Sequence, residues 1–194
     1  MNKFDWDHGF SIDFDLITGR SENAAPSRRY LSKMADMFQD REAVDNMLAD
    51  GDPLIYDFYE LGCPERPGDI AFGTTQLHPG KVGNEYFMTK GHFHTHVMTS
   101  EVYYTMSGHG YMMMENLEGD WMAEELRAGE VLYVPRGYAH RMINTGEEDL
   151  VTFFAFDADA GHDYGTIETK GYRNIIVEAD GKPVIMKNPR WEES

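Results

Sequence analysis

A series of short apolar runs, separated by turn-forming residues, follows from residue 54 to near the end of the chain. Each run is rich in tyrosine, phenylalanine, valine or isoleucine, and glycine, proline, asparagine or aspartate stands between the runs. Many short strands at this spacing indicate a β-sandwich or β-barrel rather than alternating β and α units. The predicted strands are Leu54–Glu60, Ile70–Leu77, Tyr86–Lys90, Val102–Ser107, Tyr111–Glu115, Trp121–Leu126, Val131–Pro135, His140–Asn144, Val151–Asp157 and Ile175–Glu178.

The first fifty residues have a different character, because their apolar side chains recur at three- and four-residue steps. Between residues 27 and 38 this spacing predicts a helix. The apolar residues concerned are Leu31, Met34, Met37 and Phe38. A second short helix is expected from Asp40, a capping aspartate, to Gly51. Later in the chain, Gly161–Gly171 is expected to be a loop and Asn188–Ser194 a surface tail.

Composition narrows the classes to which the protein can belong. Its 194 residues, 41% of them hydrophobic, are enough for one full core, so we expect a single domain over residues 1–194. Within it, residues 1–52 are expected to form a helical or extended N-terminal segment and residues 53–191 the β-barrel. A formal net charge of −17 argues against nucleic acid or an anionic membrane as a partner.

Cysteine usage and hydropathy point to a compartment. The single cysteine, Cys63, cannot form an internal disulfide and fits a reducing environment. No apolar run approaches the ~20 residues that span a bilayer, and no secretory leader is recognisable at the start of the chain. We therefore expect a cytoplasmic protein with no membrane partner.

Three histidines alternate near the middle of the chain, and a glutamate and a further histidine follow them. Because a strand places residues i, i+2 and i+4 on one face, His92, His94 and His96 are expected to point the same way. Together with Glu101 and His140 they offer the donors that suit a divalent first-row metal with open coordination positions. A mononuclear site needs only two of the alternating histidines. Two choices of ligands are therefore possible, His92 with His94 or His94 with His96.

The segment around the last of these histidines matches a longer pattern. Gly129, Pro135, Gly137, His140 and Asn144 form the motif G-x5-P-x-G-x2-H-x3-N without a mismatch. This motif is the second signature of the cupins, and the chain resembles a metal-binding member of that family. The resemblance implies an all-β fold, the cupin double-stranded β-helix or jelly-roll barrel, here with a short helical N-terminal segment. A metal-free cupin is the alternative, although burying three histidines and a glutamate without a metal is costly.

A denser resemblance covers roughly residues 50 to 191 and points to one branch, the cupin-type glucose-6-phosphate isomerases. Its most specific element is D-A-G-H-D-Y-G-T over residues 159–166, which no general cupin requires. Further matching stretches are Thr74-Thr75, Thr89–His94, Glu101–Tyr103, Tyr133–Pro135, Ala139–Arg141 and Asn188–Trp191. The metal ligands that this resemblance implies are His92, His94, Glu101 and His140. His96, which the general cupin spacing would select, is then left outside the ligand set.

The same resemblance implies interconversion of glucose 6-phosphate and fructose 6-phosphate, in glycolysis and gluconeogenesis. This aldose–ketose isomerisation moves a proton between neighbouring carbons and needs the developing negative charge to be stabilised. Glu101 is the candidate catalytic base, and the alternative is a metal-mediated hydride shift in which Glu101 is only a ligand. The substrate contacts implied are Thr75, Thr89, Gly91, Tyr103, His162 and Tyr164. One departure is Phe156, which stands where the branch is expected to have a phosphate-facing tyrosine and which lacks one hydrogen bond, worth ~1–2 kcal/mol.

Cofactor and partners follow from the resemblance as well. One divalent metal per subunit is expected, with Fe²⁺ favoured and Zn²⁺, Mn²⁺ or Ni²⁺ compatible with the same ligands. The expected partners are a small-molecule sugar phosphate and a second copy of the chain, in a homodimer that covers an aromatic-rich outer sheet face. Alternative functions are another cupin enzyme, such as a mannose 6-phosphate isomerase or an iron dioxygenase, and a non-catalytic sugar-binding cupin.

Overall fold

The computed structural model describes residues 4–191, and almost all of its regular structure is antiparallel strand. The strands are β1 (Ser27–Tyr30), β2 (Leu54–Glu60), β3 (Ile70–Leu77), β4 (Lys81–Val82), β5 (Glu85–Tyr86), β6 (Glu101–Ser107), β7 (His109–Glu115), β8 (Trp121–Arg127), β9 (Val131–Val134), β10 (Ala139–Asn144), β11 (Leu150–Asp157), β12 (Asn174–Ala179) and β13 (Lys182–Lys187). The helices are α1 (Arg41–Asp50) and α2 (Gly165–Lys170), and two 3₁₀ turns, Leu31–Lys33 and Ala35–Met37, precede α1. Within the described residues, no helix combines the length and apolarity needed to cross a membrane. The predicted all-β class is confirmed.

Two layers of strands face each other. One layer is a six-stranded sheet in the order β1-β2-β3-β11-β6-β9. The other contains the sheets β10-β7-β8 and β13-β12-β5-β4, which are joined by the extended segment that follows β5. That segment runs antiparallel to β10, where Thr89 N donates to Met142 O at 2.9 Å and His140 N donates to His92 O at 3.2 Å. This is the jelly-roll arrangement that the sequence predicts.

Alternation along the strands decides which side chains enter the space between the layers. On β6, Glu101, Tyr103 and Thr105 are buried, whereas Val102 and Tyr104 are 38% and 42% exposed. Successive side chains of a strand point to opposite faces, so the first of these sets faces inward. Since all six residues of β10 are buried as well, the interior holds Glu101 of β6 and His140 of β10.

The N-terminal segment is only partly helical. The helix predicted over residues 27–38 is wrong, because Ser27–Tyr30 pairs with β2 as β1 and the two 3₁₀ turns follow it. Leu31 and Phe38 are nevertheless fully buried. The apolar spacing therefore predicts correctly that these side chains are buried, although it predicts the wrong backbone conformation. The second predicted helix is confirmed as α1, in which Asp40 Oδ1 accepts a hydrogen bond from Ala43 N at 2.9 Å.

The C-terminal region is more ordered than expected. Helix α2 lies within the stretch expected to be a loop, and its Ile167 is 2% exposed, so packing of this side chain stabilises the short helix. The expected surface tail begins with contacts instead, because Asn188 Nδ2 donates to Tyr172 O at 2.8 Å. The Arg173 guanidinium lies 4.6 Å from the Trp191 ring centroid. Residues 192–194 of that expected tail lie outside the described residues.

Candidate metal centre and its cavity

Four side chains from three parts of the chain meet between the two layers. His92 and His94 belong to the extended segment before β6, Glu101 begins β6, and His140 lies on β10. One nitrogen or oxygen atom from each residue lies within 4.8 Å of those from the others. Three of the four are buried, and His92 is half-buried. The structure therefore brings together all four residues of the expected ligand set.

His96, the last of the alternating histidines, points elsewhere. Its side chain is 61% exposed, and its Nδ1 lies 3.8 Å from Asp159 Oδ2. The expectation that His92, His94 and His96 share one strand face is wrong, because the backbone bends and turns over residues 95–98. His96 consequently lies outside the cluster of four.

Hydrogen bonds behind the histidines determine which ring nitrogen faces the cluster. His94 Nδ1 lies 2.8 Å from Thr99 Oγ1, and the Thr99 hydroxyl itself donates to His96 O at 2.7 Å. The ring therefore donates from Nδ1, and in its neutral form it carries the lone pair on Nε2. His140 Nδ1 lies 3.4 Å from Tyr138 O, which can only accept. In its neutral form, each of the two rings would thus present an Nε2 lone pair to the cluster.

The atoms at the centre of the cluster need a positive charge among them. Glu101 Oε2 lies 3.1 Å from His94 Nε2 and 3.0 Å from His140 Nε2. Despite this distance His140 Nε2 has no well-directed hydrogen bond, and the buried His92 Nε2 has no partner among the described residues. A buried carboxylate that faces lone pairs requires either extra protons on the rings or a cation between them. Three imidazoles and one carboxylate are donors that fit a divalent transition-metal ion.

The ionisation states of two members agree with this fit. Burial, and after it the neighbouring His140, lowers the pKa of His92 well below its usual value, so the ring is neutral near pH 7. Burial by itself raises the pKa of Glu101, but the neighbouring His140, His94 and His92 together outweigh burial and hold that pKa well below the ordinary range. A neutral imidazole and an ionised carboxylate are the forms that bind metal ions.

A cavity of about 150 Å³ adjoins the cluster. His92, Glu101 and His140 line it. So do all six residues expected to contact substrate, Thr75, Thr89, Gly91, Tyr103, His162 and Tyr164. Sequence reasoning missed the lining residues Tyr56, Phe58, Glu60, Arg141, Met142 and Phe154. They lie on β2, β10 and β11, and their inward position follows from sheet pairing, which no local motif encodes.

Hydroxyl groups give the cavity its hydrogen-bonding character. Thr89 Oγ1 accepts a hydrogen bond from Met142 N at 3.0 Å, so its own proton is available to a ligand. Burial raises the pKa of Tyr56 to about 12 and the pKa values of Tyr103 and Tyr164 above their usual range. These phenols therefore stay protonated at neutral pH and can donate to an anion.

Aromatic rings form the side of the cavity next to His94. The Phe156 ring lies 5.7 Å from the His94 ring in a stacked arrangement and 5.4 Å from the His162 ring at an edge. His162 in turn stacks on Tyr164, with 5.8 Å between the ring centroids. Phe156 thus packs against two side chains of the site, His94 and His162, but offers no donor to a ligand.

Gly91 is a position that only glycine can fill. Its φ is +74°, in the left-handed region that side chains disfavour. A Cβ atom there would lie 2.7 Å from Tyr172 Oη and 3.0 Å from His140 O. The backbone can therefore approach β10 closely, and His92 follows directly from this turn.

A family model and several curated relatives resemble this chain along most of its length. Residues 28–192 match the family model described as Glucose-6-phosphate isomerase (GPI). A protein of Thermococcus litoralis named glucose-6-phosphate isomerase is 46% identical over 182 residues, covering 94% of this chain and 96% of its own. A protein of the same name from Pyrococcus furiosus is 42% identical over 184 residues, covering 95% and 97%. A third, from Sinorhizobium medicae, is 37% identical over 170 residues, covering 87% and 79%.

Proposed function

Because the chain belongs to the glucose-6-phosphate isomerase family, we propose that it interconverts glucose 6-phosphate and fructose 6-phosphate in a metal-dependent reaction. Family membership supports the isomerase activity. The metal and the roles of single residues are our own assignment. The observation that carries it is the cluster of His92, His94, Glu101 and His140 beside a cavity lined by hydroxyl groups.

The proposed cofactor is one divalent metal ion per subunit, held by the four residues of the cluster. When bound, such an ion would polarise the oxygens on C1 and C2 of the sugar and offset the negative charge that develops on them. Fe²⁺ is our choice, and Zn²⁺, Mn²⁺ and Ni²⁺ suit the same donors. The buried Nε2 of His92, which has no partner among the described residues, supports a ligand role for that residue.

Glu101 is proposed as the group that carries the proton between C1 and C2. It lines the cavity, is 3% exposed and is ionised at neutral pH, so it can accept a proton. A base on one face of the sugar chain can remove the proton from C2 of the aldose and return it to C1 of the ketose. The Tyr103 hydroxyl stays protonated beside it and can donate to a sugar oxygen.

The phosphate group is proposed to lie at the hydroxyl-lined part of the cavity. Thr75, Thr89 and Tyr164 offer hydroxyl donors there, and Gly91 allows its backbone N–H to approach closely. Neutral donors of this kind can satisfy several phosphate oxygens at once. His162, stacked on Tyr164, is proposed to contact the sugar between the two ends.

The test is a coupled assay with fructose 6-phosphate, in which the glucose 6-phosphate formed is oxidised and the reduced nicotinamide is measured. Enzyme stripped by a chelator should be inactive, and added Fe²⁺ should restore turnover. Mannose 6-phosphate is the second substrate, because turnover of it alone would favour the related isomerase. A reconstituted, metal-loaded protein that binds fructose 6-phosphate without turnover would instead support a non-catalytic sugar-binding cupin.

A homodimer is proposed as the working form. The N-terminal segment covers the outer faces of β11 and β3, where Phe14 contacts Phe153 and where Trp6 and Phe10 contact Phe72. On the other side of β11, strands β6 and β9 keep exposed apolar side chains. Val102, Tyr104, Val131 and Tyr133 on β6 and β9 lie opposite one another and are 38–67% exposed. A second copy could cover this patch. Light scattering that returns a mass near the 22.2 kDa of one chain at micromolar concentration would contradict the dimer.

Location and pathway complete the proposal. We place the enzyme in the cytoplasm, in glycolysis and gluconeogenesis, where both sugar phosphates are used. We also propose that residues 1–194 act as one domain. Leu31 and Phe38 of the N-terminal segment belong to the same hydrophobic core as Met112 of the barrel, which supports this.

A further inference from the structure

An ion pair connects the cavity with helix α2. The Lys90 ammonium pairs with the Glu168 carboxylate, and their side chains are 22% and 47% exposed. Lys90 Nζ also lies 5.0 Å from the centroid of the Tyr164 ring, which lines the cavity. Glu168 N donates to Tyr164 O at 2.8 Å, so the first turn of α2 holds the carboxylate beside the cavity.

Lys90 is the cation that an anionic ligand of this cavity can reach. Among the described residues that line the cavity, the other cationic one is Arg141, which is 4% exposed. The Arg141 guanidinium donates to Lys90 O at 2.7 Å and lies 4.4 Å from the Tyr172 ring centroid. Its contacts are therefore with the protein interior. The lining also includes the acids Glu60 and Glu101, so Lys90 is the accessible positive charge among these lining residues.

The position of Lys90 also suits the far end of a sugar phosphate. Lys90 precedes His92 by two residues, and two residues of extended chain span at most ~7 Å. A sugar whose C1 and C2 oxygens lie at the His92, Glu101 and His140 end can therefore place a terminal phosphate near Lys90. Thr89, beside Lys90 in the chain, offers its hydroxyl to the same group.

We propose that Glu168 tunes the affinity for the phosphate group: it is an internal anion that occupies Lys90 until the phosphate of the substrate displaces it. This inference rests on the proposed function, since it assigns the phosphate to that end of the cavity. A phosphate dianion carries more charge than a carboxylate and accepts more hydrogen bonds, so it competes successfully for Lys90. A sugar without a phosphate brings no group that could displace Glu168, so its binding leaves the ion pair intact. The Lys90–Glu168 pair therefore sets the affinity for the phosphate group.

The test compares Glu168→Gln with wild type, both as metal-loaded full-length protein. Removing the competing charge should lower KM for fructose 6-phosphate, and the inhibition constant of inorganic phosphate, by about three- to fivefold. The gain should shrink as ionic strength rises, because the pair is partly exposed. The matched control is Glu178→Gln, which removes the carboxylate of a different lysine pair, Lys81–Glu178, and should leave both constants unchanged.

A second pair of variants shows whether Glu168 acts through Lys90. Lys90→Met should raise both constants, and Glu168→Gln added to Lys90→Met should then bring no gain. A wild-type or raised inhibition constant for phosphate in Glu168→Gln would overturn the inference, as would the same gain in the absence of Lys90. Calorimetric titration with inorganic phosphate gives these ratios without turnover. A wild-type protein that fails to isomerise fructose 6-phosphate would therefore count against the proposed function alone.

Discussion

Two glutamates of this protein are almost equally buried, Glu101 at 3% exposure and Glu115 at 2%, but their surroundings differ. Glu115 accepts hydrogen bonds from Arg173 N at 2.8 Å and from the Arg173 guanidinium at 3.2 Å, so its counter-charge belongs to the chain. Glu101 faces His94 and His140, which carry a positive charge only when protonated.

The difference separates a structural carboxylate from a functional one. Burial raises the pKa of Glu115 even with Arg173 beside it, whereas the neighbouring histidines, His140 foremost, hold the pKa of Glu101 well below the ordinary range. A buried carboxylate with a fixed guanidinium needs nothing more, but one among imidazoles is balanced only by added protons or by an external cation. Burial acts in the same direction on both carboxylates, and the opposite net shifts of their pKa values therefore come from their different neighbours.

Removing the histidines that surround Glu101 in the cluster should have the largest effect on metal binding. His92→Ala, His94→Ala and His140→Ala should each abolish tight metal retention, because one of four donors is lost and the coordination geometry is unbalanced. His96→Ala is the control and should keep its metal and most activity. Elemental analysis of the purified variants is the measurement. Full retention in His92→Ala together with loss in His96→Ala would overturn the ligand assignment.

The same substitution at both glutamates tests the comparison directly. Glu101→Gln should retain metal yet lose on the order of 10²–10⁴ in kcat, the range that a positioned general base supplies. Glu115→Gln should keep metal and turnover and lose about 1–3 kcal/mol of unfolding free energy, since Arg173 loses its charged partner. Steady-state kinetics, elemental analysis and denaturant unfolding measure these effects.

Isotope exchange distinguishes two explanations of a slow Glu101→Gln variant, the loss of a base and the loss of a metal ligand. A proton carried by a carboxylate should exchange at least partly with deuterated solvent, whereas direct hydride transfer between carbons leaves the product unlabelled. Unlabelled product from wild type, combined with recovery of Glu101→Gln in excess Fe²⁺, would show that Glu101 is only a ligand.

A smaller effect on metal affinity is expected from Thr99, which contacts His94 but is not part of the cluster. Thr99→Val removes the hydroxyl oxygen that accepts from His94 Nδ1 at 2.8 Å, so the ring keeps only the longer Nδ1 contact, 3.3 Å to Thr99 O. Metal affinity should fall by about 10–100-fold in competition with a chelator, and Thr99→Ser should preserve it. Equal affinity in all three proteins would mean that the backbone alone orients His94.

The smallest effect concerns the ring stacked on His94. Phe156→Tyr restores a hydroxyl to the cavity wall and should lower KM for fructose 6-phosphate by up to about tenfold. Phe154→Tyr is the matched control, because Phe154 lines the same cavity from the same strand and has no expected phosphate contact. Equal changes in the two variants would remove the special role of position 156.

Much of the fold could be predicted because buried apolar residues recur at regular spacings in the sequence. Strands β2 and β3 have the predicted bounds, and inward alternation on β6 is visible in the sequence. Strand β13 is not predicted because its apolar run, Val184–Met186, is only three residues long and does not alternate with polar residues; all six residues of the strand are exposed. Residues 27–38 were misread because buried apolar residues at helical spacing also fit a strand followed by 3₁₀ turns.

The site, like the fold, has features that could be predicted from the sequence and features that could not. The four cluster residues could be predicted because their motifs are local in sequence, and the structure places them together. Thr99 was not predictable, because its contact depends on the bend over residues 95–98. The Lys90–Glu168 pair joins residues 78 positions apart, and Glu168 lies on helix α2, which the sequence pattern does not predict. Long-range contacts of this kind follow from tertiary packing and leave no periodic signal.

The backbone hydrogen bond from His140 N to His92 O has a consequence for metal loading in the cell. It fixes the spacing of two of the four cluster residues as part of an antiparallel pair, so this spacing exists before any ion arrives. The ordering entropy of these residues is then lost on folding and not on metallation. Because several divalent ions suit the same donors and the pocket does not reshape around one of them, intracellular metal availability decides which ion is bound. The protein is therefore expected to carry different metals when produced in hosts with different metal pools.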